Sequence, residues 1–343
     1  MKTFIISFSL LLLFISPFHH CDAQEKQLSP LDELPPYITR LTTFGQRADW
    51  SHDGQRVLFI EKTFGDVYEV DVKTKALRPM THHYFHEGYT RALYLNNGDI
   101  LLSGARSFNA DDPWPSRSEK NAELWVLKSD LSAKPVSLGE KCSEGPAVSR
   151  TQMRIAWTQT NKIYLASIEY VDGAPTLTHK QLVLDAKNLD FKCNLETQNF
   201  RPPDENGIIF SAYDYRGGEV MGVNIETGKV VDYSNADNQY DEPEGIFPDG
   251  QYTLAESDRH VSHGLEFKGI QYIDIHKLKL DGSGQYERIT HFNDYPGWKA
   301  TNPVVSDDDR FMAFQYAKYG DPAGVGRGIL ILDFEKLAEA NSK

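Results

Sequence analysis

The sequence predicts an all-β fold, a six-bladed β-propeller of four-stranded antiparallel blades with the N-terminal strand closing the last blade. Three observations carry this expectation. A strand–turn–strand pattern recurs along the chain; many copies hold an Asp/Asn-Gly type turn at the same place in the pattern; and the first strand-like segment is an orphan with a match near the C-terminus.

The copies are read in order. Ala48-Asp49-Trp50-Ser51-His52-Asp53-Gly54 precedes the apolar run Val57-Leu58-Phe59, and Tyr94-Leu95-Asn96-Asn97-Gly98-Asp99 precedes Ile100-Leu101-Leu102. Pro146-Ala147-Val148-Ser149 leads to Arg154-Ile155-Ala156-Trp157, and Arg201-Pro202-Pro203-Asp204-Glu205-Asn206-Gly207 to Ile208-Ile209-Phe210. Pro243 to Gly250 precedes Tyr252-Thr253-Leu254, and Asn302 to Asp309 precedes Phe311-Met312-Ala313-Phe314. Asp, Asn and Gly tolerate the positive φ angles of tight turns, and the β-branched and aromatic runs suit strands. Third strands follow, such as Val67-Tyr68-Glu69-Val70 and Ile329-Leu330-Ile331-Leu332, then a polar turn and a fourth strand. Four strands at a period of roughly 40–55 residues is propeller grammar. A two-sheet sandwich would not keep the turn in fixed register with the apolar run. The copy at 189–238 is the most irregular.

The last copy lacks a fourth strand after Leu332. Tyr37 to Thr42 matches Tyr286 to Thr290, itself a fourth strand, so the N-terminal segment is expected to complete the ring and hide its edges. The expected division is a signal peptide at 1–23, a leader at 24–36, one propeller at 37–337 and a tail at 338–343.

Trp50-Ser51-His52-Asp53-Gly54 and Asn302-Pro303-Val304-Val305-Ser306-Asp307-Asp308 resemble the repeats of TolB-like periplasmic propellers, over roughly residues 37–337. The resemblance implies the fold. It says little of function, because related propellers serve as scaffolds, peptidase gates and polysaccharide lyases.

The termini and composition bound the setting. Lys2, the apolar run Phe4 to Phe18 and Cys21-Asp22-Ala23 read as an export signal cleaved after Ala23, giving a periplasmic or secreted protein. The run is shorter than the roughly 20 residues a membrane span needs. A lipid-modified Cys21 is the alternative, disfavoured by His19 and His20 before it. Only Cys142 and Cys193 then remain, and pairing and free thiols both stay open. The net charge of −13 argues against nucleic acid as partner. A monomer with a protein or carbohydrate ligand at the channel mouth is expected.

In such a ring the inter-blade connections and the loops between second and third strands share one face, and the Asp-Gly turns lie on the other. Asp53, Asp249 and Asp307 are therefore expected to shape turns. Long segments at 104–121, 256–269 and 318–328 should crowd the first face, with Trp114 and Arg327 among them. Tyr295, Trp298 and Lys299 join from one connection and His82, His83, His86 and Glu87 from another. His83, His86, His260 and His263 form two His-x-x-His pairs that could hold a divalent metal, but no helix fixes their spacing, and no cofactor is expected. Asp241, Glu242 and Glu244 start a blade, where crowding would raise a carboxyl toward general-acid use. Arg47, Arg91 and Arg201 could hold a ligand carboxylate or neutralise those acids. No Gly-x-Ser-x-Gly elbow is present, and Gly324, Gly326 and Gly328 lack a phosphate-loop context.

Two function classes follow. One is an envelope scaffold that binds a ligand at the mouth through groups such as His83, Glu87, Arg91, Trp114, Glu242, Glu244, Trp298 and Arg327. The other, implied by resemblance to oligogalacturonate lyases, is a carbohydrate enzyme. It would draw its catalytic groups from His86, Tyr89, Arg201, Arg259, His260, His263 and Lys299.

Overall fold

The computed structural model describes residues 28–142, 145–261, 272–321 and 324–342. They form six four-stranded antiparallel sheets, taken up in chain order around a ring. The first blade holds Gln46–Trp50, Arg56–Ile60, Val67–Asp71 and Leu77–Pro79; the fifth holds Asp241–Ile246, Tyr252–Ser257, Asp274–Lys279 and Tyr286–Arg288. The copy that reads as irregular in sequence is a regular fourth blade, from Asn194–Arg201 to Val230–Asp232.

The second strands explain the ring. Arg56–Ile60 (RVLFI) and Ile100–Ala105 (ILLSGA) are apolar on both faces and almost wholly buried, so neither face can look at solvent. Each blade must therefore be covered on both sides, and its neighbours supply the cover. Six apolar clusters result, one at each junction. Leu58 and Ile60 meet Tyr94 and Ile100 between blades one and two, for instance, and Trp50 and Phe59 meet Ala313 and Ile331 between blades one and six.

Ile38–Arg40 pairs antiparallel with Ile329–Asp333, setting Ile38 opposite Leu332 and Arg40 opposite Leu330. The N-terminal strand thus completes the sixth blade. A helix, Phe334–Asn341, follows the last strand. Asp333 caps it by accepting from the N–H groups of Glu335 and Lys336, and Leu337 is buried in the cluster between blades five and six.

The repeated turn is a six-residue unit. Ser51 N–H donates to Arg56 O, Gly54 N–H to Ser51 O, and Asp53 Oδ1 accepts from Ser51 Oγ and Gln55 N. Gly54 has φ +66°. Asp249 plays the part of Asp53 in the fifth blade, accepting from Gln251 N. In the sixth blade that part falls to Asp308, which accepts from Ser306 Oγ and Arg310 N, and not to Asp307 as the sequence reading expected. Asp307 is released for another contact.

A second repeated device pins the fourth strands. The hydroxyls of Thr81, Ser234 and Thr290 accept the N–H of Val67, Val220 and Ile275, and each donates to an acid beside it: Asp66, Glu219 and Asp274. Thr42 Oγ1 accepts Ile329 N–H in the closing blade. These acids are parts of the scaffold.

Candidate functional site

The first strand of each blade lines the axis. In five blades the pairing of this strand with the second slips by a residue or more, at Gln46/Asp49, Tyr89/Arg91, Thr197/Asn199, Pro243/Gly245 and Thr301/Val304. A bulge re-aims the inserted side chain. Arg47, Gln198, Glu244 and Asn302 occupy these slips, and all line the channel; Arg47 and Asn302 have φ of +55° and +48°. The channel consists of two chambers that share Arg91, Glu244 and Asn302 as a waist.

The upper chamber, about 300 Å³, is the mouth. Its floor carries Glu196, Glu242, Glu244 and Glu256, and its rim Arg47, Arg117, Lys299 and Lys318. Glu242 accepts hydrogen bonds from the hydroxyls of Tyr213 and Tyr240. Burial, with the negative charge of Glu256, Glu244 and Glu196 added, pushes its carboxyl well above the usual range. Burial and the Glu244 charge raise Glu256 to about 7, although Asn302 N–H donates to it at 2.6 Å and Lys299 and Arg47 oppose the rise. Asn302 Nδ2 donates to Glu244 at 2.7 Å, and Arg91 lies 3.6 Å from the same carboxylate. The floor therefore holds two carboxyl groups raised above the usual carboxylate range, fixed by a rigid polar frame.

The lower chamber, about 340 Å³, lies toward the turn face. One apolar side chain from each blade rings it: Ala48, Leu93, Val148, Phe200, Ile246 and Val304. Below them Arg150 of the third blade reaches Asp307 of the sixth at 2.6 Å, while His52 Nδ1 meets the same carboxylate at 2.9 Å.

The expected site residues fall in several places. Arg91, Glu242, Glu244 and Lys299 meet at the mouth. Arg201 is on the opposite face, where its guanidinium donates to Gly250 O, Leu280 O and the Tyr233 hydroxyl. As the last residue of its strand it lies at the turn end, away from the acids that the sequence reading had it neutralise. Arg259 donates to Asp241 at 2.8 Å and to Ser234 O, and its guanidinium stacks 3.8 Å from the Tyr286 ring centroid. Trp298 is buried, with Lys318 Nζ and the Arg327 guanidinium against its ring at 4.6 and 5.7 Å; Arg327 also pairs with Asp321. Trp114 is exposed on the second-blade loop, whose Arg117 reaches the mouth.

His86 belongs to the scaffold around Asp66. Its Nδ1 accepts Gly88 N–H at 2.9 Å, so Nε2 carries the proton and donates to Asp66 at 2.8 Å. Both ring nitrogens are engaged. Tyr89 faces the same outer pocket, hydrogen-bonded to the Tyr84 hydroxyl and raised by burial to about 12, and Glu87 lines that pocket too. His83 is exposed, edge-on to Tyr84. His260 Nε2 contacts Asn293 Oδ1 at 3.1 Å, and its ring stacks on the buried His276. His263 and the expected signal-cleavage segment lie outside the described residues. Among the described residues, no three His, Cys, Asp or Glu side chains converge as a metal site. Cys142 and Cys193 are both buried and are not joined in a disulfide.

Sequence reasoning missed Tyr213, Tyr240, Glu196 and Glu256 at the mouth. The local pattern shows burial only, and nothing in it shows that the fourth and fifth blades bring them to one axis.

No protein-family model matches the sequence, and no curated protein matches it. Among solved structures, the chain is similar to the WD40 repeats of RRP9, at 9% identity over 86% of this chain and 97% of that one, with TM-score 0.52. It is also similar to oligogalacturonate lyase from Vibrio parahaemolyticus, at 11% identity over 85% and 79%, TM-score 0.50. TolB from Acinetobacter baumannii is a third neighbour, at 14% identity over 83% and 78%, TM-score 0.42. Identities this low speak for fold alone. The chain is a six-bladed β-propeller whose structural neighbours include TolB, oligogalacturonate lyase and WD40-repeat propellers.

Proposed function

We propose that the protein is an exported propeller that binds a protein ligand in its channel mouth, acting as a scaffold in the cell envelope. The observation that supports this reading is the pre-organised mouth. A floor of four glutamates sits inside a rim of Arg47, Arg117, Lys299 and Lys318, on strands whose bulges turn Arg47, Glu244 and Asn302 toward the axis. A hydrogen-bonding wall held rigid before binding lowers the ordering cost of the complex. Its floor carboxyl groups and Asn302 offer hydrogen-bonding partners, and its basic rim attracts acidic side chains, which fits a polar peptide segment. Among the described residues no helix is long and apolar enough to cross a membrane.

The test is a photo-crosslinking residue placed at Thr301, in the mouth wall, in the cell that makes the protein. A discrete protein adduct, lost when Lys299 and Arg117 are both reversed to Glu, is the expected result. Absence of any protein adduct across several mouth positions counts against the reading.

A second reading, a carbohydrate-active enzyme, is supported by one observation: Glu242 and Glu256 are buried together and both raised, as an acid–base pair would be. Incubation with uronate-containing and neutral glycans, followed by ultraviolet absorbance and reducing-end assays, separates it from binding alone.

A further inference from the structure

The lower chamber takes no part in the reading above. Its wall is built to a different rule from that of the mouth. Ala48, Leu93, Val148, Phe200, Ile246 and Val304 give it one apolar residue per blade. Several prolines, including Pro146, Pro202 and Pro248, add rigid surface without N–H donors. At about 340 Å³ it falls within the roughly 300–1,000 Å³ of small-molecule pockets.

Its charges are satisfied internally. Asp307 is held by Arg150 and His52; Glu205 accepts from Ser149 Oγ, Arg150 N and Arg154; Glu244 accepts from Asn302 Nδ2. A charged guest would lose hydration here without gaining an opposite charge that is not already used. Amide acceptors are left over: Asn199 Oδ1 is buried in the wall without a donor, and Asn302 offers another at the waist. Because Asn302 Nδ2 must face the Glu244 carboxylate, its Oδ1 is fixed on the other side of the amide. No described group donates to that oxygen, and Asn302 lines the chamber.

We propose that the lower chamber binds a compact, uncharged alcohol or phenol, with its carbon skeleton against the apolar ring and its hydroxyl donating to Asn302 Oδ1. Water filling an apolar ring has few partners, so its displacement favours such a guest. The ring is continuous only in the closed propeller, so the site exists only when all six blades are assembled.

The experiment uses the full folded protein with 4-methylphenol, toluene and 4-methylbenzoate as probes, followed by ligand-observed NMR titration. A ligand of this size binds with Kd on the order of 1 mM. The phenol is expected to bind about tenfold tighter than the benzoate and several-fold tighter than toluene, and Val148→Phe or Ile246→Phe should abolish binding by filling the chamber. A crystal soaked with 4-iodophenol locates the site independently of any variant: anomalous iodine density should lie within the six-residue ring. Iodine bound only elsewhere, equal affinity for the benzoate, or no binding of the phenol at about 10 mM overturns the proposal.

Discussion

Arg150 and Asp307 belong to blades three apart in a ring of six, yet their side chains meet at 2.6 Å across the turn end of the channel. The contact ties the third blade to the sixth, and Arg150 also lies 3.6 Å from Asp49 of the first. Arg150 N donates to Glu205 of the fourth blade, and His52 joins Asp307 to Leu95 O of the second. One guanidinium thus braces the turn end of the channel across blades, as Arg91 and Glu244 join the second and fifth blades at the waist.

The two partners are predicted to be unequal. Asp307→Ala should cost about 1 kcal/mol, because the pair is partly exposed and screened. Arg150→Ala should cost about 2–4 kcal/mol, because it also leaves the buried Asp49 without its cation. Urea unfolding of both variants checks the order. The Asp307 carboxyl is also held low: burial alone would raise it, but the His52 hydrogen bond and Arg150 outweigh that. Its contribution to stability is therefore present above the unfolded carboxylate pKa and lost as pH falls through the lower, folded value.

The mouth should show the opposite pH dependence. Glu256, raised to about 7, holds its proton longer in the folded than in the unfolded chain. Where the folded state binds more protons, stability declines as pH rises. The decline should run from about pH 4.5 to about 7 and be reduced in Glu256→Gln. Denaturant midpoints measured across this range test it, and an unchanged slope in the variant would show that Glu256 does not titrate this way.

Ring closure rests on a short strand, and its two faces should respond differently. Ile38 is buried in the junction of blades five and six, whereas Thr39 is exposed. Ile38→Ala is expected to cost about 2–4 kcal/mol and Thr39→Ala less than about 0.5 kcal/mol. Thermal and urea unfolding compare them directly.

The hydroxyl device predicts a third pattern. Thr290→Val removes both the acceptor of Ile275 N–H and the donor to Asp274, and should cost about 1–3 kcal/mol. The neighbouring assignment at His86 is read by nitrogen NMR, which should find the neutral ring's proton on Nε2 rather than Nδ1. A ring protonated on Nδ1 would undo the hydrogen-bond scheme with Gly88.

Much of the fold was legible because it is local and repeated. The turn Ser51 to Arg56 and the runs RVLFI and ILLSGA state strand, turn and two-sided burial within a few residues of each other. The closing strand was legible for the same reason, since Tyr37 to Thr42 copies a fourth strand found elsewhere. The His-x-x-His spacing told little because no helix fixes it, and His86 sits in a loop where Asp66 and Gly88 use both its nitrogens.

The sequence by itself determined the blade, its repeat and the ring's closure, because strand patterning and turn chemistry act over distances of a few residues. Only the tertiary structure decided the channel. A bulge shifts which side chain of an inner strand faces the axis, and periodicity of two does not reveal it. Glu242 gains Tyr213 from the preceding blade, Asn302 joins Glu244 to Glu256, and Arg150 crosses to Asp307. Each of these contacts joins side chains of different blades, and ring geometry alone brings them together.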